Sequence, residues 1–294
     1  MERIDFHDQI ARNKRKSFFL ILIVFAVLIT LVYTIGLAIG TIDIFVISVL
    51  AIIISVTYIT ISYYNSDKIA LASVGAKPAE REKYKQYYNS VEGLTIASGL
   101  PMPRLFVMPS SQINAFASGR NPERAVICVT EGALEKLDKN ELDGVIAHEL
   151  SHIANYDMRY MTLVAVMVGM ISIVSQIFLR SLYFRGNSRG NDKGKALFLL
   201  VGIVLAILAP IVVYFVQLSI SRKREFTADA SAVKFTRYPG GLIRALEKIK
   251  QEHPSKENKK INKAIAPLFF ASPFENLSST HPPIEKRIEI LKNM

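Results

Sequence analysis

The sequence predicts a mainly α membrane protein, with four hydrophobic spans in two hairpins and an α+β part that carries a small antiparallel sheet. Three observations predict it. Half of the 294 residues are hydrophobic and only 21% are charged, where about a quarter is usual for a soluble domain. Four stretches run for at least 20 residues without a charge: Ser17–Ile42, Ile44–Ser66, Tyr160–Leu179 and Ala196–Ser221. Between and after them lie short strand-like and helix-like segments. This composition excludes disordered and low-complexity classes. The single cysteine, Cys128, excludes an intramolecular disulfide framework and fits a reducing compartment. The net charge of +11 has no nucleic-acid motif around it. It is read as a basic face meeting anionic lipid or the cytosol, so the bilayer is the expected partner and nucleic acid is not.

A helix needs roughly 20 apolar residues to cross about 30 Å of hydrocarbon, and all four stretches reach that length. The first is too long for the core of a cleaved signal peptide. Gly40 to Asp43 separates it so briefly from the second that the two form a tight hairpin, 17–66. Arg12, Lys14, Arg15 and Lys16 precede it, which places the basic N-terminus, 1–16, in the cytoplasm by the positive-inside rule. Residues 67–159 then follow on the cytoplasmic side. The second hairpin, 160–221, returns the chain there for residues 222–294. One feature opposes a complete second crossing: its turn holds Arg180, Arg185, Arg189, Lys193 and Lys195 against only Asp192.

In the first polar part, residues 79–98 read as an amphipathic helix stopped by Gly99 and Pro101. Arg104–Met108, Ile113–Ser118 and Ala125–Thr130 read as strands, the last two joined by the turn Gly119-Arg120-Asn121-Pro122. Asp138 and Glu141 have capping-box spacing and open a helix through Asn155 that is expected to continue into the third span. After the fourth span a helix is expected through Ala232, broken by Pro239-Gly240-Gly241. A second helix over 242–252, a polar connector over 254–263, an apolar loop over 264–279 and a short helix after His281-Pro282-Pro283 complete the chain.

The informative stretch is His148-Glu149-Leu150-Ser151-His152. On a helix, residues i and i+4 share a face, so His148 and His152 can hold one zinc ion. Glu149 lies about 100° around the helix, beside the ion, where it can take a proton from a water whose pKa zinc lowers to about 7. It would then pass that proton to the leaving amine. Two histidines leave a catalytic zinc one protein ligand short. Glu225, 73 residues after His152 and directly after the fourth span, is the best candidate. An even number of crossings returns it to the same side of the membrane. Asp229, one helical turn later, suits an acceptor that orients a ligand histidine. The competing readings are surface histidines paired with acids, and a solvated acidic pair on a basic helix.

HELSH at 148–152, two apolar spans, REFTADA at 224–230, an INAFASG segment at 113–119 and STHPP at 279–283 occur in that order along nearly the whole chain. Together they resemble the HtpX-type membrane zinc metalloproteases, integral-membrane gluzincins related to the CAAX prenyl proteases. The resemblance implies a zincin-like catalytic part, with one zinc ion per subunit held by His148, His152 and Glu225 and with Glu149 as catalytic base. It also implies a hydrolase of a prokaryotic plasma membrane that cleaves membrane or misfolded proteins at its cytoplasmic face, in quality control under stress. His281 would approach the zinc to block it or to help bind the oxyanion; the alternative is a histidine that merely precedes a proline-started helix. Arg287 is either an oxyanion stabiliser or an ordinary surface arginine. Asn114, Ala115 and Phe116 either form a strand edge that holds an extended substrate or are plain structural strand.

Three rival readings are weaker. Site-2 proteases also have an LDG sequence, but here Leu142-Asp143-Gly144 lies one turn before His148, where Asp143 cannot close the site. A CAAX prenyl protease would normally have more spans. A non-catalytic membrane scaffold would leave the HELSH pattern without use.

Overall fold

The computed structural model describes residues 6–39, 43–163, 202–203, 222–252, 268–271 and 282–294. The first two helices, α1 (Phe6–Ile39) and α2 (Ile44–Tyr64), pack side by side. Asp43 caps α2, its carboxylate accepting from the Phe45 N–H at 2.7 Å. Among the described residues one helix, Phe45–Tyr64, is long and apolar enough to cross a membrane. Its side chains face outward: Phe45 is 74% exposed, and Ile53, Ile61 and Val56 are also exposed, as are Phe18 and Phe19 of α1. Such faces are satisfied by hydrocarbon, not water. The third and fourth expected spans, the basic turn between them, the connector over 254–263 and His281 lie mostly or wholly outside the described residues.

Helix α3 (Ser66–Ser73) leads from the hairpin to a four-stranded sheet of β1 (Lys77–Pro78), β2 (Arg104–Met108), β3 (Ala115–Ser118) and β4 (Val126–Thr130), in the order β1-β2-β4-β3. The sheet is mixed rather than antiparallel. β3 and β4 form the expected hairpin, but β2 and β4 run parallel, Leu105 opposite Ile127 and Val107 opposite Val129. The β2–β3 connection leaps over one strand position and the hairpin turn drops β4 into it. All five β4 residues are consequently buried, as in a central strand covered on both faces. The expected helix over 79–98 begins later, as α4 (Lys85–Ser98), because Ala79 continues the pairing of β1 with β2. Gly99 stops it in the left-handed region, φ 72°.

After the short α5 (Glu131–Lys136), α6 (Lys139–Ala154) runs through the centre of the core against α4, β3, α7 (Arg222–Thr236) and α8 (Pro239–Gln251). The capping box at its start is formed: Asp138 accepts from the Glu141 N–H at 2.9 Å and Glu141 from the Asp138 N–H at 2.8 Å. Two glycines let α8 approach. A Cβ on Gly144 would stand 2.6 Å from the Leu242 nitrogen, and one on Gly241 2.2 Å from the Asn140 oxygen. The Leu142-Asp143-Gly144 sequence is thus explained by packing, with Asp143 paired outward to Lys139 at 3.0 Å. Helix α6 does not continue into the next segment as expected. It stops at Asn155 and Tyr156, where Tyr156 takes φ 58°, and residues 157–163 begin a new helical stretch. Helix α7 extends past Ala232 to Thr236, and Pro239 stands in the first turn of α8 rather than before it. Helix α9 (Ile284–Lys292) closes the chain.

Candidate metal centre

His148 and His152 project from one face of α6, fully and almost fully buried, with ring centroids 4.8 Å apart. Their Nε2 atoms face each other at 3.1 Å. Glu225 enters from α7 with one carboxylate oxygen 3.6 Å from each Nε2, and the three ligand atoms lie within 4.8 Å of one another. The opposite ring nitrogens are anchored. His148 Nδ1 meets the Asp229 carboxylate at 2.9 Å and His152 Nδ1 meets that of Asp157 at 3.1 Å. With both Nδ1 atoms donating to carboxylates, both Nε2 atoms turn lone pairs to one point, the tautomer a metal ligand requires.

The electrostatics ask for positive charge at that point. Burial disfavours an imidazolium at His152, yet Asp157 and Glu225 push its pKa up to about 9. A cation placed among two imidazole nitrogens and a carboxylate oxygen would meet this demand. These three side chains fit a metal and leave a coordination position open.

Glu149 is 1% exposed, and burial raises its pKa against the opposing histidines. Its carboxylate receives the Ala117 N–H, while Oε1 has no hydrogen-bond partner among the described residues. Its proton affinity is raised and one oxygen is available, which suits proton transfer.

Arg287, on α9, is buried rather than on the surface. It is 1% exposed and grips Asp229 through two hydrogen bonds, at 2.9 and 2.7 Å. Burial would raise the Asp229 pKa, but Arg287 and His148 hold it at about 2. The guanidinium also stacks on Phe270, 4.7 Å from the ring centroid, and Phe270 meets the His148 ring edge-on.

The strand edge expected to receive a substrate is closed along Asn114, Ala115 and Phe116. The chain itself pairs there: the Phe270 N–H donates to the Ala115 carbonyl at 2.8 Å, Phe116 bridges Phe269, and the Asn114 side chain donates to the Ala271 carbonyl at 2.9 Å. An apolar Leu-Phe-Phe segment completes the edge because it buries two aromatic rings while satisfying the strand's polar groups. Two participants escaped the sequence reading. Asp157, five residues after His152, is signalled only by being a carboxylate just beyond the metal motif. Asn13 of α1 sits in a basic run that reads as a solvated flank.

Comparison with known proteins agrees with this geometry. Residues 79–294 match the model of peptidase family M48. A protein named "Protease HtpX homolog" from Dictyoglomus turgidum is 40% identical over 299 residues, covering 100% of this chain and 96% of that protein. Namesakes from Thermoanaerobacter pseudethanolicus and Listeria monocytogenes are 45% identical over 84% of each chain, and 38% identical over 98% of this chain and 99% of theirs. Among solved structures, S. mikatae Ste24p matches with a TM-score of 0.50 at 21% identity, covering 96% of this chain. This chain accounts for 66% of that protein's length, so the likeness speaks for the fold alone. Matched by the family model over most of its length and by relatives along theirs, the chain belongs to peptidase family M48, as an HtpX-type membrane metalloprotease.

Proposed function

We propose that the chain is a zinc endopeptidase in which His148, His152 and Glu225 hold one ion and Glu149 moves the proton. It cleaves membrane proteins, and unfolded ones, at the cytoplasmic face of a prokaryotic plasma membrane, in quality control under stress. The observation that carries the reading is the pair of buried imidazoles, 3.1 Å apart at Nε2 with a carboxylate behind each Nδ1.

Zinc, when bound, would polarise the scissile carbonyl and acidify the attacking water. Glu149 accepts the water's proton at Oε1 as the oxygen bonds to the carbonyl carbon. It returns the proton to the nitrogen as the C–N bond breaks, leaving a carboxylic acid and an amine. Asp229 and Asp157 keep both imidazoles in the ligating tautomer, and Arg287 keeps Asp229 ionised and in place.

A multi-pass arrangement of four spans in two hairpins is supported by the charge-free stretches. The site's place at the membrane surface is supported by Tyr63 and Tyr64 at the end of α2. Arg159 lies over the Tyr63 ring at 5.4 Å and Arg120 over that of Tyr64 at 4.4 Å, a pairing suited to the interfacial belt. Arg159 follows His152 by only seven residues.

Glu149→Gln tests the reading. The purified variant should retain zinc, lose cleavage of unfolded casein by at least a hundredfold, and trap membrane proteins in intact membranes. Cleavage at the parent rate would defeat the mechanism, and trapping of soluble periplasmic proteins alone would defeat the cytoplasmic assignment.

A further inference from the structure

Helix α6 ends at a corner, and the base of the first membrane helix is locked onto it. Asn13, 6% exposed, uses both protons of its carboxamide there. One goes to the Asn155 carbonyl at 3.0 Å, which terminates α6, and the other to Asp157 Oδ1 at 2.7 Å. Since both partners are acceptors, the amide must present its nitrogen to them. The other oxygen of Asp157 accepts from His152 Nδ1 at 3.1 Å. The carboxylate is thereby held by Asn13 on one oxygen and His152 on the other. Arg224 stands 3.5 Å from Oδ1 as an ion pair. Lys14 lies over the ring of Tyr156, the left-handed residue of the corner, at 4.5 Å.

We infer that Asn13 is a positioning residue for the metal centre, holding Asp157 so that His152 presents Nε2 to the ion, and thereby tying metal affinity to the seating of the first membrane helix. Residues 6–39 are one continuous helix. Displacement of its apolar part is therefore transmitted to a carboxylate that orients a ligand, with no loop between to absorb it. The inference rests on the reading of His152 as a metal ligand.

Zinc affinity of the full-length protein in lipid nanodiscs, measured by competition with a chromophoric chelator, tests it without any activity assay. Asn13→Ala should weaken binding about tenfold, the lower end of what losing an outer partner of a ligand costs. Lys14→Ala, which touches the same corner but not Asp157, should stay within about twofold of the parent by the same standard. Asn13→Asp should bind more weakly than Asn13→Ala, because two carboxylates then meet without a proton. Asn13→Ala binding like the parent, Lys14→Ala weakening as much, or Asn13→Asp binding like the parent would each overturn the inference. His152→Ala separates the two levels. If it binds zinc like the parent, the metal-centre reading itself fails. If it loses zinc while Asn13→Ala keeps it, only the role of Asn13 fails.

Discussion

Arg287→Met removes the cation from a pair that has no water to replace it. Asp229 and Arg287 are 0% and 1% exposed and share hydrogen bonds of 2.7 and 2.9 Å. Breaking a buried pair from one side costs about 3–5 kcal/mol, because the remaining charge is stranded. Asp229 keeps the His148 Nδ1–H at 2.9 Å, so the lower end, about 3 kcal/mol, is expected. At roughly 2–4 °C per kcal/mol for a domain of this size, the melting temperature should fall by roughly 6–12 °C. The chain has no tryptophan, so circular dichroism on detergent-solubilised protein is the suitable probe, with chelator present to keep metal loss out of the comparison. The double variant Asp229→Asn/Arg287→Met, which removes both charges, should regain at least half of the loss. A fall below 2 °C, or a double variant no better than Arg287→Met, would refute the claim that Arg287 acts by holding Asp229.

Three further outcomes are expected. Glu225→Gln should weaken zinc binding by at least tenfold, whereas Glu247→Gln, at a half-buried residue 3.6 Å from Lys292, should not; equal retention in a chelator competition would place the third ligand elsewhere. Gly144→Ala drives a methyl to 2.6 Å from the Leu242 nitrogen and should cost about 1–3 kcal/mol, read as a lowered melting temperature, while an unchanged one would deny the close approach of α6 and α8. In a Cys128→Ala background, a cysteine at Lys139 should resist an impermeant thiol reagent in intact cells and one at Asp43 should label; the reverse pattern would put the site on the outer face.

The parts of the site legible in the sequence are those encoded by helical spacing. His148 and His152 announce themselves because four residues make one turn, and Glu225 is expected because two stretches long enough to cross a membrane stand between it and His152. Strand direction carries no such signature. The β2 and β4 sequences are short, nearly continuous apolar runs that a partner of either direction can pair with, and the burial of all five β4 residues reveals a central strand. Lys77 and Pro78 are poor strand formers and pair only because β2 offers them an edge. The pairing found at Asn114–Phe116 is hidden for a long-range reason: the segment that pairs there, Phe269 to Ala271, lies some 150 residues away, as the 157-residue separation of Asn114 from Ala271 shows. The sequence names Arg287 but not its pairing with Asp229, since a buried arginine and a surface one look alike, and Asn13 is hidden until the fold brings it to Asp157.

X-ray absorption at the zinc edge on the purified, full-length protein bears most directly on the central claim. The account predicts one zinc per chain, bound only by nitrogen and oxygen at about 2.0–2.2 Å, with the scattering of two imidazoles. A sulfur neighbour at about 2.3 Å, which would implicate Cys128, or a spectrum without imidazole scattering would contradict it.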